Sequence, residues 1–382
     1  MYQYTNCIIC HKKGKIKCDF CENTSHLCSK EHLFLHNQQY HNINNIQKQN
    51  KLEINNDIRK QIMIKMSNQD YSSSISLINS CLNILKQQNE YNANNNSIII
   101  ELLYTLAECY LNLSNLEQSK NTLNEIINLT EDINATNSSN LQKIIFRQKA
   151  NMLLGAISLN LGEYNNSLKA YFSCENDLFK ICKEPELNVK LSAVFLNIGL
   201  SYIYLGNKNI AEKYLKKALS QTEGILGNDI IHKLNADIFE NLGVVYELMN
   251  RYKDSLIFYK KSLKLKFNLY GEAHDEVLEL QYKISESYLS LKQFEQAEEI
   301  LGSIVELIMK RKINKANQET IYRYVTYFYT YGVVLIKLNR LNNAKMYFNK
   351  VLDTINGFLL QNDPWIININ DLIKICDSKR FK

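Results

Sequence analysis

The chain has 382 residues, with 45% hydrophobic and 22% charged residues, two prolines and twelve glycines. This is the composition of a folded soluble protein with a sizeable core, and it excludes a β-sandwich or a loop-rich secreted domain, which need more turn residues. The formal charge of +6 is too modest for a strongly nucleic-acid-binding chain. No apolar run reaches the roughly 18–20 residues that cross a bilayer, and no signal peptide opens the chain.

The N-terminal stretch comes first. Five of the ten cysteines and five of the seven histidines lie before residue 42. A disulfide framework would not need the histidines, so a metal site in a reducing compartment is the better reading. Cys7 and Cys10 form one CxxC pair and Cys18 and Cys21 a second; Cys28, His32, His36 and His41 follow. A CxxC turn presents two thiolates to one tetrahedral zinc at about 2.3 Å, and eight ligands make two zinc sites. Cys28 and His32 stand four apart, on one face of a predicted helix that His36 continues. His11 and His26 are read as exposed loop histidines.

This pattern resembles the MYND and HIT fingers, small cross-braced modules in which alternate ligand pairs share a metal. The resemblance implies one site of Cys7, Cys10, Cys28 and His32 and a second of Cys18, Cys21, His36 and His41. Two features depart from the family. His32 stands where a cysteine is usual, and the last family cysteine would fall at Asn45, which cannot serve. If His36 replaces it, the spacing becomes HIT-like. The finger reads as a zinc-stapled domain of a size that cannot build its own core, or as a docking surface for a short peptide. Nucleic acid is disfavoured: Asp19, Glu22 and Glu31 offset Lys12, Lys13, Lys15 and Lys17, and no recognition helix carries arginine.

The finger is assigned to residues 1–45 and a polar linker to 46–56. From 57 to 361 a helical repeat takes over, clearest in Asn197–Leu219. There Ile198-Gly199, Tyr202, Gly206, Ala211, Leu215 and Ala218 fall at the spacings of a tetratricopeptide repeat, two antiparallel helices (A and B) that touch at small residues. Gly199 and Ala211 are small because bulk there would push the helices apart. Gly206 ends helix A in the left-handed conformation. The helix A marker recurs at Ala107, Gly155, Gly199, Gly243, Ser285 and Gly332, at intervals of 48, 44, 44, 42 and 47 residues against a usual 34. Its helix B partners are Ser119, Ser167, Ala211, Ser255, Ala297 and Ala344. Ile62–Cys81, with Tyr71 and Ser74 in helix B positions, is a degenerate first copy, which makes about seven repeats. Lengthened helices or loops, as at Asn268–Val277, account for the long period, and such repeats resemble those of kinesin light chains. Asn92–Asn96 and Asn134–Asn140 read as polar loops.

Residues 362–382 form a capping helix, with Asp363 as N-cap, Pro364 at the first position and a stripe of Ile366, Ile369, Ile373 and Cys376. A solenoid end left open would expose an apolar face, and Trp365 is expected to pack at the cap. The expected fold class is all-α, a TPR superhelical solenoid preceded by the finger.

Nothing in the chain reads as an enzyme. His232 and His274 stand apart, no phosphate loop, nucleophile elbow or dinucleotide fingerprint occurs, and Cys174 and Cys182 read as packing. The concave face lined by helix A is the expected site for a protein partner, and membrane binding is not expected. Asn197 and Asn241, each two positions before a marker glycine, are placed to bond the backbone of an extended ligand, or else to bond helix to helix within the stack. A clamp for acidic chaperone tails would need basic residues where Ala193, Asp237 and Glu279 stand, with Lys283 alone suitable. A finger followed by one repeat array, with AECYLNLSNLEQS (Ala107–Ser119) and LSYIYLGNKNIAEKYL (Leu200–Leu215) in its middle repeats, is similar to MYND-finger, TPR-containing axonemal proteins of cilia and flagella. That resemblance implies a cytoplasmic and axonemal adaptor that attaches inner-arm dynein components alongside a second TPR protein. The alternative is a cytoplasmic adaptor for assembly of another protein or ribonucleoprotein complex, as HIT fingers suggest.

Overall fold

The computed structural model describes residues 16–17, 26–27, 58–87, 93–131, 138–183, 186–222, 229–311, 318–355 and 364–378. The chain forms two compact units, Met1–Glu131 and Asp132–Lys382. In the first, strands β1 (Ile16–Lys17) and β2 (His26–Leu27) pair antiparallel, Ile16 opposite Leu27 and Lys17 opposite His26. The proposed metal ligands Cys7, Cys10, Cys18, Cys21, Cys28, His32, His36 and His41 lie outside the described residues. Four helices follow: α1 (58–67), α2 (Tyr71–Gln87), α3 (Ala93–Asn112) and α4 (Leu116–Thr130).

The second unit contains α5 (Ser138–Asn160), α6 (Tyr164–Ile181), α7 (Glu186–Tyr204), α8 (Lys208–Thr222), α9 (Asp229–Leu248) and α10 (Tyr252–Tyr270). It continues with α11 (Asp275–Ser290), α12 (Phe294–Lys310), α13 (Gln318–Lys337), α14 (Leu341–Ile355) and α15 (Pro364–Ser378). The helices alternate as A and B members of hairpins, with α15 following the last pair. The long period comes from the helices themselves: α5 spans 23 residues and α10 spans 19. Asn94–Asn96 stand in the first turn of α3, not in a loop, in keeping with the preference of asparagine for helix starts.

One contact recurs in every hairpin. The markers Ala107, Gly155, Gly199, Gly243, Ser285 and Gly332 are buried, as are their helix B partners. Sixteen residues after each marker stands a large side chain, in order Leu123, Tyr171, Leu215, Tyr259, Leu301 and Phe348, each with no exposed surface. A Cβ on Gly155 or Gly332 would come within 2.7 Å of the Tyr171 or Phe348 ring, and one on Gly199 within 2.8 Å of Leu215. At Gly243 the Tyr259 ring is nearer still. Interiors pack too densely to absorb such overlap, so small opposite large is the rule of the joint. In the degenerate first hairpin Ile62 and Ile78 share the volume more evenly.

The turn is equally regular. Seven residues after the marker position, Gln69, Ser114, Gly162, Gly206, Asn250, Lys292 and Asn339 all have positive φ, between 58° and 76°. At Gly206 the N–H donates to Ile203 O at 2.9 Å and the next N–H, of Asn207, to Tyr202 O at 2.9 Å, closing the end of helix A. The other six turns repeat both bonds. Only Gly162 and Gly206 adopt this conformation without steric cost, and a side chain that cannot bond locally loses about 1–2 kcal/mol there. Lys292 is such a case, exposed in its turn. Lys292→Gly should therefore stabilise the protein by about 0.5–1 kcal/mol after the entropy of glycine is subtracted, read as a higher urea midpoint. A lower midpoint would contradict the turn geometry.

Successive hairpins meet through a second pair of positions. Ser167 Oγ lies 3.1 Å from Ser201 Oγ, and Ser255 Oγ 3.5 Å from Ser287 Oγ, all four fully buried. At the intervening junctions the equivalent residues are apolar and buried, Ala211 with Val245 and Ala297 with Val334. Polar and apolar junctions thus alternate along the second unit.

Helix α7 is long and apolar enough to cross a membrane by length and composition, with a mean hydropathy of 1.2. The sequence gives no unbroken apolar run there because Glu186 and Lys190 open the helix. Its Leu191, Val194, Phe195 and Ile198 are buried with residues of α6, α8 and α9, which is the pattern of a core helix. At the C-terminal end, Ile369 and Cys376 of α15 are buried, and Ile366 and Ile373 pack with residues of α13 and α14. Trp365 corrects one expectation: it is 41% exposed, with its ring centroid 5.3 Å from that of Tyr329. The stripe that seats α15 passes through Ile369, and Trp365, four residues earlier, sits at the rim. Asp363 lies outside the described residues.

Candidate protein-binding site

In the second unit the A helices α9, α11 and α13 are tied edge to edge. Lys283 Nζ on α11 reaches Glu240 Oε1 on α9 at 2.5 Å, and Arg323 on α13 reaches Glu279 on α11 at 3.8 Å. Tyr282 Oη lies 3.2 Å from Thr330 Oγ1, and the Tyr282 and Tyr327 rings are 4.9 Å apart. Along this layer Leu200, Ile203, Val244, Leu289, Val333 and Ile336 are half-buried. They recur one or four positions after the marker, a spacing that puts them on one face of each A helix.

Asn197 and Asn241 belong to this layer, and both are half-buried. Their situations differ. The Asn241 amide donates to Asp237 O within its own helix at 2.8 Å, which leaves its side-chain oxygen to accept. The Asn197 side chain makes no hydrogen bond among the described residues, while its backbone oxygen accepts from Ser201 Oγ at 2.9 Å. Neither amide ties one helix to another.

The charges nearby are largely committed to each other. Lys266 is 5% exposed and lies 2.7 Å from Glu240 and 3.0 Å from Glu276. Burial disfavours its charge, yet Glu240 and Glu276 outweigh this and keep it protonated well above the ordinary lysine range. Burial likewise pushes Glu240 up, but Lys283 and Lys266 hold it below the ordinary range. Burial raises Asp237 by more than Lys266 offsets, and it raises Glu286, helped by Glu247 and opposed by a hydrogen bond from Tyr282. Lys283, the one basic residue at a clamp position, is engaged with Glu240 and Glu279. An acidic tail would have to displace those carboxylates, so the clamp remains disfavoured.

In the first unit a cleft of about 530 Å³ lies between α1 and α3, lined by Ile62, Met63, Met66, Leu102 and Thr105 and crossed by the Arg59–Glu101 ion pair. Among the described residues, no group of three histidine, cysteine or acidic side chains is placed to hold a metal. His274 caps α11, its Nδ1 accepting from Glu276 N at 3.2 Å, and Cys174 is buried beside Gln148. Sequence reasoning missed the role of Lys266, whose partners stand on two other helices. The acids that cluster around it, Asp237, Glu240 and Glu276, were the available signal.

The comparisons agree with this architecture. Residues 100–133, 192–223, 234–308 and 325–355 match tetratricopeptide repeat families. No curated protein matches the sequence significantly. Among solved structures, the chain is similar to a signal-transduction ATPase with a tetratricopeptide repeat sensor from Pyrococcus horikoshii, at 15% identity and a TM-score of 0.60, covering 91% of this chain and 49% of that one. It is similar to the apo form of RapI, at 14% identity, a TM-score of 0.57 and 85% of each chain. It is also similar to the C-terminal part of a TPR repeat-containing protein from Cytophaga hutchinsonii, at 12% identity and a TM-score of 0.51, covering 81% and 98%. Identities this low show the fold alone, an all-α TPR-like helical solenoid. Repeats of this kind generally act as protein-interaction scaffolds through their extended surfaces. Within residues 100–355, this chain carries tetratricopeptide repeats.

Proposed function

We propose that the chain is a non-enzymatic adaptor whose A-helix layer holds an extended segment of a protein partner. The observation that carries this reading is Asn197, a half-buried amide with no side-chain hydrogen bond among the described residues, one hairpin away from the accepting oxygen of Asn241. An extended peptide offers alternating N–H and C=O groups that such amides can pair with, while Leu200, Ile203 and Val244 take its apolar side chains. The finer assignment rests on the resemblance to MYND-finger axonemal proteins: an adaptor for inner-arm dynein components in cilia and flagella. Its Cys7, Cys10, Cys28 and His32 would hold one zinc and its Cys18, Cys21, His36 and His41 another.

The test is a pull-down from flagellated cells with the whole chain, with Asn197→Ala/Asn241→Ala, and with residues 1–45 deleted. Each hydrogen bond lost is worth about 1 kcal/mol, so the double variant should weaken partner binding about tenfold or more. Deletion of the finger should weaken it less. Retention of axonemal proteins by the finger alone would reverse the roles, and metal analysis showing fewer than two zinc equivalents would remove a site.

A further inference from the structure

The B helices of the fourth and fifth hairpins carry a charge that the rest of the chain does not. Helices α8 and α10 together hold nine lysines against two acids, a net of +7, whereas the whole chain is +6. Lys266 is spent in the interior, but Lys213, Lys216, Lys217, Lys253, Lys260, Lys261 and Lys264 are all exposed. The two acids neutralise little of this face: Glu212 pairs with Lys216 at 2.7 Å and accepts from Tyr246 Oη at 2.6 Å, and Asp254 pairs with Arg251 at 2.8 Å.

The lysines are also held in place. Lys217 Nζ stands 3.8 Å over the Phe195 ring, and Lys261 Nζ stands 5.5 Å over Phe239, the equivalent ring of the next hairpin. Lys260 lies 5.3 Å over Tyr288. At Lys260 and Lys261 such cation–π seats order the side chain and leave its charge available on the far side, whereas Lys217 is also paired with Glu175 at 3.3 Å. Ile257 stands between the lysines of α10 and Phe267 just after them, 53% and 46% exposed, and Phe179 is exposed at the end of α6.

From this we infer a second interaction surface, on α8 and α10, that takes an extended acidic segment of a protein partner with apolar residues spaced among its glutamates or aspartates. The residue types favour carboxylates over phosphates. Neither helix contains an arginine, the side chain that grips phosphate with two parallel bonds, and exposed isoleucine and phenylalanine have no counterpart on a nucleic-acid backbone. The surface lies on B helices and stands independently of the A-helix layer.

The experiment uses the full chain and fluorescence anisotropy. The probes are a labelled glutamate-rich peptide with spaced phenylalanines, a lysine-rich counterpart and a single-stranded oligonucleotide matched in charge to the acidic peptide. Phosphatidylserine vesicles are tested by sedimentation. The acidic peptide should bind, the lysine-rich one should not, and binding should weaken steeply with added salt. Lys213→Gln, Lys253→Gln, Lys260→Gln and Lys264→Gln together should weaken it about tenfold or more, since each exposed pair contributes a fraction of a kcal/mol. Asn197→Ala/Asn241→Ala should leave it unchanged, which separates this surface from the other. No binding by the parent chain, or equal binding by the quadruple variant, would overturn the inference. Tighter binding of the oligonucleotide or the vesicles through the same lysines would overturn the choice of an acidic protein segment.

Discussion

Arg147→Ala should destabilise the second unit by about 3–5 kcal/mol, the largest effect expected of any single substitution in this chain. Arg147 on α5 and Asp177 on α6 are 8% and 3% exposed, and they meet through two parallel bonds, Nε to Oδ2 at 2.8 Å and Nη2 to Oδ1 at 2.7 Å. Removing the guanidinium would leave a carboxylate in the interior with Lys180 at 3.7 Å as its remaining cation among the described residues. The cost is that of the stranded charge, not the net worth of the pair. Arg147→Met with Asp177→Leu should therefore recover most of the loss, because a well-packed apolar pair often replaces a buried ion pair with little penalty. Urea titrations of the parent, the single and the double variant, followed by circular dichroism, decide it. A single variant within about 1 kcal/mol of the parent would mean that water reaches Asp177.

Gly243→Leu should cost about 3 kcal/mol, at the upper end for an overpacked core. The Tyr259 ring fills the space where the new Cβ must go and cannot swing aside. It is fully buried, and its hydroxyl donates to Glu247 Oε2 at 2.6 Å, so the ring is fixed at both ends. Gly243→Ala should also destabilise, and Tyr259→Leu should relieve it, because that double variant recreates the Ala107 and Leu123 joint of the second hairpin. At Gly199 the opposing group is the flexible Leu215, and the same substitution should be milder. Equal midpoints for Gly243→Leu and the parent would show that α9 and α10 do not meet as described.

The repeat was legible in the sequence because its signals are local. The small markers, their helix B partners and the glycine turns stand at fixed separations, and each hairpin confirms the last. The left-handed turns at Gln69, Ser114 and Lys292 were not legible, since nothing about those residue types asks for positive φ; the surrounding hairpin imposes it. The pairs Arg147–Asp177 and Lys266–Glu240 were hidden for another reason. Their partners stand 30 and 26 residues apart on different helices, and each occurs in one hairpin, so no periodicity advertises them. Of the candidate site, the positions of Asn197 and Asn241 were readable from the register. That one amide turns back onto its own helix and the other does not depends on neighbours that the register does not specify.

The alternating junctions bear on how such an array can lengthen or shorten. Excising the fourth hairpin alone would set Ser167 against Val245, stranding a buried hydroxyl at a cost of about 1–3 kcal/mol. Excising the fourth and fifth together would set Ser167 against Ser287, and the hydroxyls would meet again. Gene duplications or deletions would thus be tolerated two hairpins at a time, and a chimaera cut at an even spacing would inherit matched ends.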